Sequence, residues 1–172
     1  MRVRGQDDGP LVTAGAVLGI GLGGFVDGIV FHQLLQWHAM VSAIRPPFTL
    51  LEKQINTFWD GVFHACTWLA TVVGVGLLWR ATGRADVPRS GTSLVGAVLL
   101  GCAAFNLVEG VIDHHLLGLH NVKEVSAHTT AWNVGFLLAS LAIGAGGWLL
   151  VRQGRAGYAG TAERHPGLAP AV

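Results

Sequence analysis

The segment VEGVIDHHLLGLH, Val108–His120, decides the fold. Its aliphatic residues suit a lipid interior, yet it carries Glu109, Asp113, His114, His115 and His120. A second segment, VDGIVFHQLLQWH, Val26–His38, aligns on it without gaps. Six of the thirteen positions are identical and three more are conservative. Asp27 falls on Glu109, Gly28 on Gly110, His32 on His114 and His38 on His120. Leucine and glycine matches are cheap in an apolar chain; two imidazoles and an acid in fixed register are not. FWDGVF from Phe58 echoes AWNVGF from Ala131 more weakly. The chain therefore reads as two helical hairpins in the same orientation, related by an axis along a membrane normal.

Composition agrees. Only 12% of the 172 residues are charged, against about 25% in soluble domains. Four apolar stretches, at about 11–37, 58–80, 93–120 and 130–152, are each long enough to cross a hydrocarbon core about 30 Å thick. A backbone in that core must bond to itself, and helices do so within one segment. The expected fold is all-α: an integral membrane four-helix bundle over residues 1–153, followed by a disordered tail, 154–172, rich in Gly, Ala and Pro. The first stretch is too long and too polar for a cleaved signal peptide and reads as a retained helix. Arginines concentrate in the N-terminus (Arg2, Arg4), the second loop (Arg80, Arg84, Arg89) and the tail (Arg152, Arg155, Arg164). Those regions should be cytoplasmic, which places the first and third loops outside. The reading is a multi-pass protein of the bacterial inner (plasma) membrane. No basic patch with interleaved aromatics supports nucleic-acid binding. Cys66 and Cys102 fit neither a zinc knuckle nor a disulfide framework and read as small buried residues.

The ionisable residues are not scattered. At about 1.5 Å per residue, Asp27 lies roughly 24 Å from the start of the first helix, and Glu109 lies at a similar height on the third. Asp60 and His64 then fall in the outer turns of the second helix, and His128 and Asn133 at the outer start of the fourth. Helical periodicity gives each helix a polar stripe. The stripes are Asp60, His64, Thr67, Thr71; Cys102, Asn106, Glu109, Asp113, His120; and Thr129, Asn133, Ser140. On the first helix Gly15, Gly19 and Gly23 precede Asp27 at spacings of four, a face on which a neighbour can approach closely. His32 and His114 lie about 140° from Asp27 and Glu109 on an ideal helix. Either a bulge near Gly28 and Gly110 rotates them inward, or they face a neighbouring helix. In the first outer loop, Thr49 and Glu52 have capping-box spacing, and LLEKQINTFW reads as a short interfacial helix.

Bare carboxylates at membrane depth cost roughly 2.5–3.5 kcal/mol each on insertion scales. Lys and Arg do not accompany them; His32, His38, His64, His114, His115 and His120 do. Imidazole with carboxylate is a ligand set for zinc, iron or manganese, and imidazole-rich subsets suit copper. A divalent transition metal between the helices is thus the first reading, with one or two ions. Asp27, Glu109, Asp60 and His64 are the preferred ligands, joined by His38 or His120, and His32, His114 and Asp113 are further candidates. The second reading is a b-type haem held by two His, for which the glycine-lined helix would make room. The third is a proton or ion relay or transport subunit; the inner half, with Gly, Ala, Thr, Asn106 and Cys102, looks dry for that. His115 and His128 fit equally well as ordinary interfacial side chains, and His165 belongs to the tail.

GFVDGIVFHQLLQWH, DGVFHA and NLVEGVIDHHLLGLH together resemble the signatures of a family of predicted bacterial membrane proteins known as domain of unknown function 2243. The resemblance covers nearly the whole chain except the tail. Such domains sometimes occur fused to a caa3-type cytochrome oxidase assembly factor. The resemblance therefore implies a copper or respiratory role; the expected partners are the lipid bilayer and a homo-oligomer or respiratory complex, and the expected function is a metal-dependent enzyme or a metal or respiratory-complex biogenesis factor.

Overall fold

The computed structural model describes residues 7–164, with side chains described through Gly157. All the regular structure among these residues is helical. Helix α1 (Gly9–Val26) runs directly into a π-helical turn, π1 (Asp27–Leu34). Helix α2 spans Leu50–Thr82. Helix α3 (Gly91–Val111) runs into a second π turn, π2 (Ile112–Leu116). Helix α4 covers Thr129–Arg164. Four helical segments are long and apolar enough to cross a membrane: Gly9–Leu34, Leu50–Thr82, Gly91–Leu116 and Thr129–Gly157.

The central pair is α1 with α3; α2 packs on α1, and α4 packs on α3. Glycines set that order, because without a Cβ two backbones can touch. Gly15, Gly19 and Gly23 all face α3, and a Cβ on Gly15 would lie 2.6 Å from that of Ala97. Gly21, Gly24 and Gly28 face α2 at Thr71, Thr67 and His64. Between α3 and α4 the contact is reciprocal: a Cβ on Gly96 would meet Gly147 O at 2.6 Å, and one on Gly147 would meet Gly96 O at 2.7 Å. The outward faces of α2 and α4 carry Trp68, Val72, Leu138 and Leu141, all exposed. Cys66 is exposed on α2 rather than buried, whereas Cys102 Sγ–H donates to Gly19 O (3.1 Å) at the α1–α3 contact.

The helix starts follow from their caps. Thr49 Oγ1 accepts from Glu52 N (3.2 Å), and Ser90 Oγ accepts from Ser93 N (3.1 Å). LLEKQINTFW is not a separate interfacial helix: it is the first part of a continuous α2. Neither Pro nor Gly interrupts Leu50–Trp59, and buried Asn56 anchors the turn by donating to Arg45 O (2.8 Å) and accepting from Val41 N (3.3 Å). Helix α4 also passes 153 and continues to Arg164, since no Pro stands in the chain between Pro88 and Pro166. Residues 165–172 of the expected tail, His165 among them, lie outside the described residues.

The first and third helical segments end earlier than their hydrophobicity suggests, at Leu34 and Leu116. They end alike. Leu35 N donates to Val30 O and Leu117 N to Ile112 O, both at 2.8 Å. Trp37 N donates to Phe31 O (2.9 Å) and Leu119 N to Asp113 O (2.8 Å). The chain then turns through a left-handed residue, Gln36 (φ 51°) in one case and Gly118 (φ 58°) in the other. A non-glycine residue there costs roughly 1–2 kcal/mol. Gln36→Gly is expected to stabilise the protein by about 1 kcal/mol and Gly118→Ala to destabilise it by a similar amount, both read as the midpoint of unfolding in detergent.

A buried imidazole–carboxylate cluster

The π turns answer the 140° question. In a π-helix the hydrogen bonds run from i to i+5, so residues five apart come nearly into line. Asp27 and His32 are five apart, and so are Glu109 and His114. His32 Nε2 lies 3.1 Å from Asp27 Oδ2, and His114 Nε2 lies 3.1 Å from Glu109 Oε1.

The loops return the remaining two imidazoles. His38 Nδ1–H donates to Val122 O (2.9 Å), and His120 Nδ1–H donates to Met40 O (3.1 Å). Each ring therefore binds the carbonyl two residues past the other histidine. A carbonyl only accepts, so both Nδ1 atoms carry protons; His38 Nε2 makes no hydrogen bond, whereas His120 Nε2 pairs with the Glu109 carboxylate. His120 Nε2 lies 3.0 Å from Glu109 Oε1, and His38 Nε2 lies 3.9 Å from Asp27 Oδ1. The His38 and His120 rings stack face to face, 4.6 Å apart at 8°. His32 stands 4.5 Å from His38, and His114 stands 4.8 Å from His120, edge-on in both cases.

All six groups are buried, His120 at 1% exposure and Asp27 at 3%. The Nε2 atoms of His32, His38 and His114 and the Oε2 atom of Glu109 make no well-aligned hydrogen bond, although carboxylate oxygens lie close to the ring nitrogens. Burial, with the neighbouring His120 and His32 rings, pushes the His38 imidazole down to about 2, so it stays neutral, as a metal ligand must. The ligand atoms of His32, His38 and His120 lie within 4.8 Å of one another, as do those of Glu109, His114 and His120.

The other expected ligands fall outside these groups. Asp60 supports rather than faces the cluster: its Oδ1 accepts from His32 Nδ1 (2.9 Å) and from Met40 N (2.8 Å). His64 Nδ1–H donates to Asp60 O (2.7 Å), and its ring lies against Gly28. Asp113 is only partly buried. The four imidazoles that do gather are His32, His38, His114 and His120, of which the helical wheel placed two off the interior face.

Further support comes from Asn133, on the polar stripe of α4, and from loop residues, which gave no periodic signal. Asn133 Oδ1 accepts from Val122 N (3.0 Å), as Asp60 does from Met40 N. Glu124 accepts from Ser42 Oγ (3.1 Å) and Asn121 N (2.9 Å), while Glu124 N donates to Trp37 O (3.0 Å) and Ala43 N to Leu119 O (3.0 Å). Lys123 Nζ lies over Trp37 and Trp132, 4.9 and 5.3 Å from the ring centres. The first and third loops are thus bound to each other over the cluster.

Four apolar helices around a sealed imidazole–carboxylate cluster define a multi-pass membrane protein whose buried His/Glu group could hold a metal. The chain belongs to the family described as Predicted membrane protein (DUF2243), whose model matches residues 14–154 and so takes in every residue of the cluster. No curated protein and no solved structure matches it.

Proposed function

We propose that the cluster holds a resident divalent transition metal, zinc, iron or copper, and that the protein serves metal-dependent chemistry or metal-centre assembly at the membrane. The observation that carries this reading is the set of buried Nε2 atoms of His32, His38 and His114, turned toward two buried carboxylates without well-aligned hydrogen bonds. Two carboxylates in a dry site need compensating charge, which a divalent cation would supply. The Nδ1 acceptors, Asp60 for His32 and backbone carbonyls for His38 and His120, fix ring orientation as second-sphere partners of metal ligands do. The interlocked loops exclude water, which favours a retained cofactor over cargo in transit. A bound metal would supply Lewis acidity or, as iron or copper, oxygen chemistry.

The arginine distribution places both termini in the cytoplasm and the interlocked loops on the outer side of the plasma membrane, with lipid around the helices. A homo-oligomer or a respiratory-complex subunit fits as a partner for that outer surface. The matched bonds of the two halves support an ancestral hairpin duplication. Haem fits less well. The glycines of α1 are occupied by α3 and α2 backbone and side chains rather than by space for a macrocycle, and His38 and His120 are stacked rather than opposed across a plane.

Elemental analysis of detergent-purified protein tests the proposal. At least one transition-metal ion per chain is expected, with no Soret band in the absorption spectrum. Protein that carries no metal and takes up neither Zn2+ nor Co2+ overturns it.

A further inference from the structure

We infer that the cluster takes two ions, one on Asp27, His32 and His38 and one on Glu109, His114 and His120, and that the first is held more tightly. The inference rests on the metal reading above and specifies its stoichiometry and order.

The first argument is the pairing. Each carboxylate lies beside the two imidazoles of its own segment. Asp27 is 3.1 Å from His32 and 3.9 Å from His38; Glu109 is 3.1 Å from His114 and 3.0 Å from His120. Two imidazoles and one carboxylate form a facial set that leaves exchangeable positions on the ion. Two such sets give each carboxylate its own cation.

The second argument is the stack. An imidazole lone pair lies in the plane of its ring. His38 and His120 are parallel to within 8° at 4.6 Å, and their Nε2 atoms lie beside different carboxylates, Asp27 for His38 and Glu109 for His120. They serve two neighbouring positions, and paired catalytic ions generally lie about 3.5–4 Å apart.

The order comes from one substitution between the halves. Asp60 and Asn133 do the same work for the backbone, each accepting from a loop N–H, Met40 in one case and Val122 in the other. Asp60 also accepts from His32 Nδ1, whereas His114 Nδ1 is buried without a hydrogen bond. A carboxylate behind a ligating histidine orients the ring and raises its basicity, and its loss costs roughly 10–100-fold in affinity. The half that contains Asp60 is therefore the tighter one.

The test is a Co2+ titration of the full-length chain in detergent after metal removal. Two ions should bind in two resolved steps. Asp27→Asn and Glu109→Gln should each retain one ion. Asp60→Asn should weaken the tight step roughly tenfold or more, and Asp60→Glu should restore part of it. Loaded with Mn2+, the unmodified protein should show the EPR spectrum of an exchange-coupled pair, a readout that needs no variant. One ion per chain, lost in both carboxylate variants, would mean a single shared site, such as one on His32, His38 and His120, and would overturn the inference. Two ions with Asp60→Asn inert would overturn the order. No Co2+ bound by the unmodified chain would instead refute the metal reading beneath it.

Discussion

Stripping the metal from the wild-type protein is expected to lower its unfolding midpoint in detergent by roughly 10 °C, and to lower that of His120→Ala by distinctly less. A ligand that binds only the folded state stabilises it by about 3–4 kcal/mol at 100–1,000 times its Kd. For a chain of this size each kcal/mol corresponds to about 2–4 °C. His120 is the right position to remove, because it belongs to both groups of converging ligand atoms. It also binds Met40 O and stacks on His38, so the variant starts from a lower midpoint than the wild type. The informative quantity is the difference between the two chelation shifts, in which that starting loss cancels. Equal shifts in both proteins would show that the stabilising ion sits elsewhere.

Alanine at Gly19 or Gly101 should be more damaging than any single loop substitution. A Cβ on Gly19 would fall on the Val98 carbonyl, and one on Gly101 on the Ala16 carbonyl. Both obstacles are backbone, so no rotamer change relieves them; α1 and α3 must move apart. Overpacking of this kind costs about 3 kcal/mol or more when the neighbours cannot yield. Separating the central pair also spreads Asp27 from Glu109, so metal retention should fall with stability. Gly76→Ala and Gly135→Ala are the controls. Nothing lies within 4 Å of a Cβ at either position, and helix propensity alone predicts stabilisation by up to about 1 kcal/mol. Size-exclusion profiles and unfolding midpoints of the four variants give the comparison; comparable behaviour in all four would mean that α1 and α3 are not packed through their glycines.

The spans and the inward course of Asp27 were legible because hydrophobicity and the glycine spacing both report on helix faces. The grouping of Asp27 with His32 was not. A wheel at 100° per residue places them on different sides, and only the wider π turn brings them together. The same assumption promoted Asp60 and His64, correctly spaced for one face of an α-helix, over His32 and His114. Asp60 meets His32 at Nδ1, the ring nitrogen opposite the one beside Asp27. The loop network around Glu124, Ser42 and Asn121 has no period at all, and a sequence pattern carries nothing about which loop meets which. The continuity of α2 was obscured because its first two turns are polar enough to suggest an interface, although nothing in them stops a helix.

The crossed anchoring of His38 by Val122 and of His120 by Met40 has a bearing on assembly. Neither hairpin holds within itself the acceptor that orients its own loop imidazole. A lone hairpin would keep its carboxylate and its π-turn histidine but leave its loop histidine without an acceptor. Only two copies facing each other, or two halves joined in one polypeptide, complete the exchange.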